Sequence, residues 1–156
     1  MGATFRQRNP SAIKNVLNAI LDAGKFEVAV GFPRGKAQAY PDGTSVIDVA
    51  AAHVYGVGVP QRDFMTFAKK DIAHVVKSIV EKVAKSTVEI DPDKAMKLRE
   101  AAGIAAADAV KASIIKLDDP PNSPETIAKK GSSNPLVDTG HMKDSVTHIV
   151  RKRTRA

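Results

Sequence analysis

Two long helix-forming stretches in tandem constrain this chain more than any other feature. From Asp63 onward, Phe64, Phe67, Ala68, Ile72, Val75, Val76, Ile79, Val80 and Val83 recur at helical spacing and make one apolar stripe. Lys69, Lys70, His74, Lys77, Glu81 and Lys85 fall largely off it. Asp91-Pro92 then supplies a start signal for a second helix, expected to run to about Leu117. Its inner face is expected to be mostly alanine: Ala95, Ala101, Ala102, Ala105, Ala109 and Ala112, anchored by Leu98 and Ile115. Small side chains let a neighbouring helix approach closely, so the two stretches should pack as an antiparallel pair. Burial of Phe64, Phe67, Ile72, Val76 and Ile79 would contribute roughly 1.5–3 kcal/mol each before conformational entropy is charged.

The flanks add strands and short helices. Phe26, Val28, Val30 and Phe32 alternate with Glu27, Ala29 and Gly31, the pattern of a half-buried strand. Val146-Thr147-His148-Ile149-Val150 alternates in the same way and is expected to pair with it. Asn9-Pro10 opens an expected first helix carrying Ile13, Val16, Leu17, Ile20 and Leu21, stopped by Gly24. Ser45 to Tyr55 reads as a short helix with Val46, Val49, Ala50 and His53 on one side. Ser123-Pro124 is a cap followed by proline at the first helical position, and Asp138 to Ser145 is a further short helix. Pro33 to Thr44 and Asp118 to Pro135 are loops. The expected fold is α+β: a small antiparallel β-sheet packed with two long α-helices, plus extended loops. It forms a single domain over 1–156 with a basic tail at 151–156.

Composition narrows the function classes. With no cysteine, disulfides, thiolate metal sites and thiol nucleophiles are excluded. No apolar run approaches the ~20 residues needed to cross a bilayer, and the N-terminus lacks a signal-peptide core. No membrane association is expected. The formal net charge is +7, concentrated in part in Arg151, Lys152, Arg153 and Arg155. That balance suits nucleic acid or an acidic protein surface, or serves as a solubilising tail. Aromatics make up 4 %, too few for a base-stacking platform.

Catalytic patterns are sparse. His53, His74, His141 and His148 include no i, i+4 pair of the kind a helical zinc site uses. No Gly-x-Ser-x-Gly elbow occurs. Gly56-Val57-Gly58 has the wrong spacing for a dinucleotide turn. No metal or cofactor is expected. One string invites an enzymatic reading: Leu136-Val137-Asp138-Thr139-Gly140 has the form of an aspartic-protease loop. Such an enzyme needs two carboxylates sharing a proton, set in a β-rich domain. Here a helical segment precedes the string, and the residues after it have room for a short helix and one strand. The simpler account is a helix start, with Asp138 or Thr139 capping and Gly140 permitting close backbone approach.

Two segments, in order, carry a family resemblance. The first runs from Ala50 through Tyr55-Gly56 to Pro60-Gln61-Arg62-Asp63-Phe64, an alanine-rich helix, an aromatic-glycine break and a Pro-x-Arg-x-Phe motif. The second is Pro135-Leu136-Val137-Asp138-Thr139-Gly140-His141-Met142-Lys143-Asp144-Ser145-Val146, preceded by Lys130-Gly131-Ser132. Together, with a helical block between them, they resemble the virion morphogenesis proteins of tailed bacteriophages, the neck, tail-completion and minor tail components. Asp63 and His141 stand where that family often carries proline and a long side chain. The resemblance implies a non-enzymatic α+β subunit of a homo-oligomeric ring at the head–tail joint. Its partners would be portal-side and tail-side virion proteins, and its location the virion after synthesis in the host cytoplasm. It implies an assembly role for Tyr55, Gly56, Pro60, Arg62, Phe64, Pro135, Leu136, Asp138, Thr139 and Gly140. Gly56–Phe64 and Leu136–Gly140 are expected to lie near each other, bracing the fold or meeting a neighbour. Arg151, Lys152, Arg153 and Arg155 would face DNA in the channel. The competing class is a basic nucleic-acid-binding module.

Overall fold

The computed structural model describes residues 25–37, 39–85 and 92–154, without the side chains at 80, 82–85 and 92. The expected helix at Asn9–Gly24, the 86–91 connection and Arg155 lie outside them. Element order is β1 (Phe26–Gly31), α1 (Val46–Tyr55), α2 (Phe64–Lys85), α3 (Pro92–Lys116), α4 (Pro124–Lys130), α5 (His141–Asp144) and β2 (Thr147–Lys152). The architecture is mixed: a two-strand antiparallel sheet with several helices.

Local chemistry sets the boundaries. Ser45 Oγ accepts the Asp48 amide and starts α1, and Gly56, at φ 72°, ends it by donating to the Ala52 carbonyl. Only glycine suits that end, because a Cβ at Gly56 would lie 3.0 Å from Gln61 Cβ in a left-handed backbone. Asp63 Oδ1 accepts the Thr66 amide and starts α2. Ser123 caps α4, with Pro124 at its first turn. The two strands pair from Phe26 opposite Lys152 to Gly31 opposite Thr147, and Arg151 Nε donates to Glu27 Oε1 at 2.6 Å across the ladder.

α3 is the spine. It packs along α2 on one side and against both strands on another. Ser113 Oγ lies 2.8 Å from the Phe64 and Val110 carbonyls, which ties the end of α3 to the start of α2. The core joins Phe64, Ala68, Ala107, Val110, Ile114, Leu136, Met142 and Val146. Phe32 meets Phe64 edge-to-face at 6.2 Å, which fixes the end of β1 over this core. At Gly103 the strand β2 comes so close that a Cβ would fall within 2.6 Å of His148 Cγ. There His148 Nε2 and Glu100 Oε2 approach to 2.7 Å and clip strand to helix.

Two expectations about helix faces are corrected. Phe67 is 50 % exposed and Val76 39 %, so the α2 stripe is wider than the contact it makes. On α3 the buried side is Gly103, Ala106, Ala107, Ala109, Val110, Ser113 and Ile114. Ala101 and Ile115 face solvent, while Ala95, Leu98, Ala102, Ala105 and Ala112 are only half-buried. Alanine surrounds this helix, so the pattern alone does not orient it. The sheet and α2 choose the face.

Candidate functional site

The two segments that carry the resemblance meet through a buried polar node. Arg62 is 4 % exposed. Its Nε donates to the Pro120 carbonyl at 2.7 Å, and its Nη2 donates to the Pro121 carbonyl at 3.1 Å and to Asn122 Oδ1 at 3.3 Å. Burial pulls the Arg62 pKa below its ordinary value, although an arginine guanidinium stays charged in proteins. Asn122 Nδ2 donates onward to the Asn134 carbonyl at 3.3 Å. Asn134 Oδ1 accepts the Leu136 and Val137 amides at 3.0 and 2.9 Å, and its Nδ2 donates to the Ile115 carbonyl at 2.8 Å. An Asx-type turn of this kind presents Leu136 to the core beside Phe64. The guanidinium thus ties the proline loop to the start of α2 through part-buried hydrogen bonds.

The node divides the candidate residues. Arg62, Phe64, Pro135 and Leu136 are buried within the chain and brace it. Tyr55, Pro60, Asp138 and Thr139 are exposed, and Gly56 and Gly140 half-exposed. Residues 56–61 form a tip that folds back on α1: the Arg62 amide donates to the His53 carbonyl at 2.7 Å and Gln61 Nε2 to the Val54 carbonyl at 3.0 Å.

A further correction concerns the helix start. Neither Asp138 nor its neighbour fills the N-cap position of α5. Gly140 does, at φ 84°, with no side-chain cap, while Thr139 Oγ1 accepts the His141 amide at 3.4 Å. Asp138 instead lines a cleft of about 320 Å³ between the 40–44 loop, α1 and the 130–142 segment. Tyr40 meets His141 there in a tilted ring contact, ring centres 4.7 Å apart. Burial, then the nearby charges of Asp138 and Asp42, raises the Tyr40 pKa. Hydrogen bonds from Thr44 lower that of Asp42. His53 borders the same cleft with its Nδ1 buried and unpartnered among the described residues. Burial, reinforced by the charges of Arg62 and Lys130, depresses its pKa and favours the neutral ring.

His74 is exposed on α2 and His148 sits at the Glu100 clip. Among the described residues, no three His, Asp or Glu side chains are grouped to hold a metal, and no helix is long and apolar enough to cross a membrane. At the sheet end Arg151, Lys152 and Arg153 are exposed, with Arg151 engaged by Glu27.

Asn122, Asn134 and Ser113 are the functional supports that sequence reasoning missed. The asparagines were findable in principle, since asparagine beside proline favours turns held by its own side chain. Ser113 left no signal beyond a small polar residue on an apolar face. No family model, curated protein or solved structure matches the chain.

Proposed function

We propose that this chain is a structural virion protein of a tailed phage, a ring subunit that joins or completes the head–tail neck. One observation supports the reading above the others. The two segments that resemble the neck and tail-completion family, separated by the helical block, are tied into one node by Arg62, Asn122 and Asn134. The Pro-x-Arg-x-Phe motif and the Pro-Leu-Val-Asp-Thr-Gly motif thereby acquire a joint physical purpose. Arginine stitches the proline loop, phenylalanine and leucine fill the core above it, and the exposed tip between Tyr55 and Gln61 is pinned back onto α1. A braced body with exposed loops suits a protein that works by shape, fitting between copies of itself and portal-side or tail-side neighbours.

The function is tested by deleting the chain from the particle-forming genome that encodes it. Full heads and finished tails should accumulate unjoined, and added wild-type protein should restore joining. Normal yields of infectious particles would contradict the reading. The exposed Lys152 and Arg153 keep a basic nucleic-acid-binding module as the second reading. Tight duplex binding by the isolated protein, weakening steeply with salt, together with normal particle assembly in its absence, would favour that module.

A further inference from the structure

Among the described residues, two apolar surfaces face solvent at opposite ends of α3. The first is the α1–α2 tip, where Tyr55 is 74 % exposed, Val57 68 % and, one turn into α2, Phe67 50 %. The second is a shallow groove of about 460 Å³ on the first half of α3, floored by Met96, Ala101 and Ile104, with Asp93, Lys97 and Glu100 at its rim. Ile104 is 54 % exposed. The Ser113–Phe64 hydrogen bond places the tip beside the C-terminal end of α3. At 1.5 Å per residue, the groove lies roughly 20 Å away along the helix axis. The tip is also pinned to α1 through Gln61 and Val54, so it does not reach its own groove.

A closed ring of identical subunits needs a contact between two different patches on separate parts of the subunit. We infer that the α1–α2 tip of one copy seats in the α3 groove of the next. The inference rests on the ring reading above and names the contact that would build the ring. Tyr55 and Val57 supply the apolar knob, and Met96 and Ile104 the socket. Exposed Lys70, one turn from Phe67 on the same helix face, matches Asp93 on the socket's rim. A few side chains bury less than the ~800 Å² per partner of a standard interface, so each contact is weak alone and gains from closure of the ring.

The chain has no cysteine, so engineered ones report the contact without background. Val57→Cys and Ile104→Cys are prepared as separate full-length proteins, checked for wild-type circular dichroism, mixed and mildly oxidised. The expected product is the mixed disulfide, in excess of both self-pairs, and the double variant should give a ladder of multimers. Asp93→Lys should reduce the mixed product, and adding Lys70→Asp on the partner should restore it. A dominant Val57→Cys self-pair, absence of cross-links, or insensitivity to the charge swap overturns the contact. Particle content separates this from the neck reading. A chain present in virions that never cross-links removes the contact alone, whereas efficient cross-linking by a chain absent from virions removes the neck reading alone.

Discussion

The two halves of α3 are used in different ways. In the second half, Ala107, Val110 and Ile114 pack with Phe64, Leu136, Met142 and Val146. The first half leaves Met96 and Ile104 in solvent beside Asp93, Lys97 and Glu100. The second half is richer in alanine and the first in charge. What each half faces differs as well: the Arg62–Asn134 node anchors a loop at the end of the helix, whereas the start meets the sheet through Gly103 and Arg99 on one side and leaves Met96 and Ile104 exposed on another. One helix therefore serves as core at one end and as an available surface at the other.

The sharpest way to break this comparison is to truncate matching isoleucines. Ile114→Ala should cost about 2–5 kcal/mol in denaturant unfolding, because its fully buried side chain leaves a cavity that the surrounding helices cannot close. Arg62→Met comes next, at about 1–3 kcal/mol, since the part-buried Pro120 and Pro121 carbonyls and Asn122 lose their shared donor. Proteolysis should then open the 118–135 segment first. Gly103→Ala sharpens the boundary between the halves. Its new methyl collides with the His148 ring, outweighing the roughly 1 kcal/mol gained in helix propensity, for a net loss of about 1–2 kcal/mol. Loss of the Glu100 contact should appear in the His148 ring NMR signals.

His53 contributes a smaller, pH-dependent effect. Its folded pKa lies below the ordinary 6.5, so between the two values the unfolded chain binds a proton that the folded chain resists. Stability should fall as pH drops through 6.5 and level off once folded His53 is also protonated. His53→Gln should flatten that part of the profile, measured as denaturation midpoints at successive pH values. Smallest of all, Ile104→Ser should leave stability within about 0.5 kcal/mol, because the side chain is already half in water. Equal losses for Ile114→Ala and Ile104→Ser would abolish the distinction between the halves.

Much of the fold was legible because local chemistry and tertiary position agree. Ser123 caps a helix as its sequence predicts, the helix expected from Ser45 forms with that serine as its cap, and Phe26–Gly31 pairs with Thr147–Lys152 as the alternations suggest. The buried face of α3 was not legible, since its alanines leave little contrast around the helix and α2 with the sheet decides the rotation. The start of α5 misled for a related reason. Asp138 has the chemistry of a cap, but the turn places Gly140 at that position and turns Asp138 toward the cleft. The Arg62 node was visible only as two separate motifs. Arg62 and Pro120 are 58 residues apart, and no periodicity links an arginine to the loop carbonyls it satisfies. Of the candidate residues, Arg62, Phe64, Pro135 and Leu136 are internal, while the exposed ones lie at the tip, the cleft edge and the end of β2.

The central claim is that the chain acts as a stoichiometric part of a particle. Quantitative mass spectrometry of purified tailed particles, calibrated against the portal protein, tests it most directly. The account predicts the chain in several copies per particle, in a fixed ratio to the portal that survives stringent purification. Intact, infectious particles that contain none of it would contradict the account.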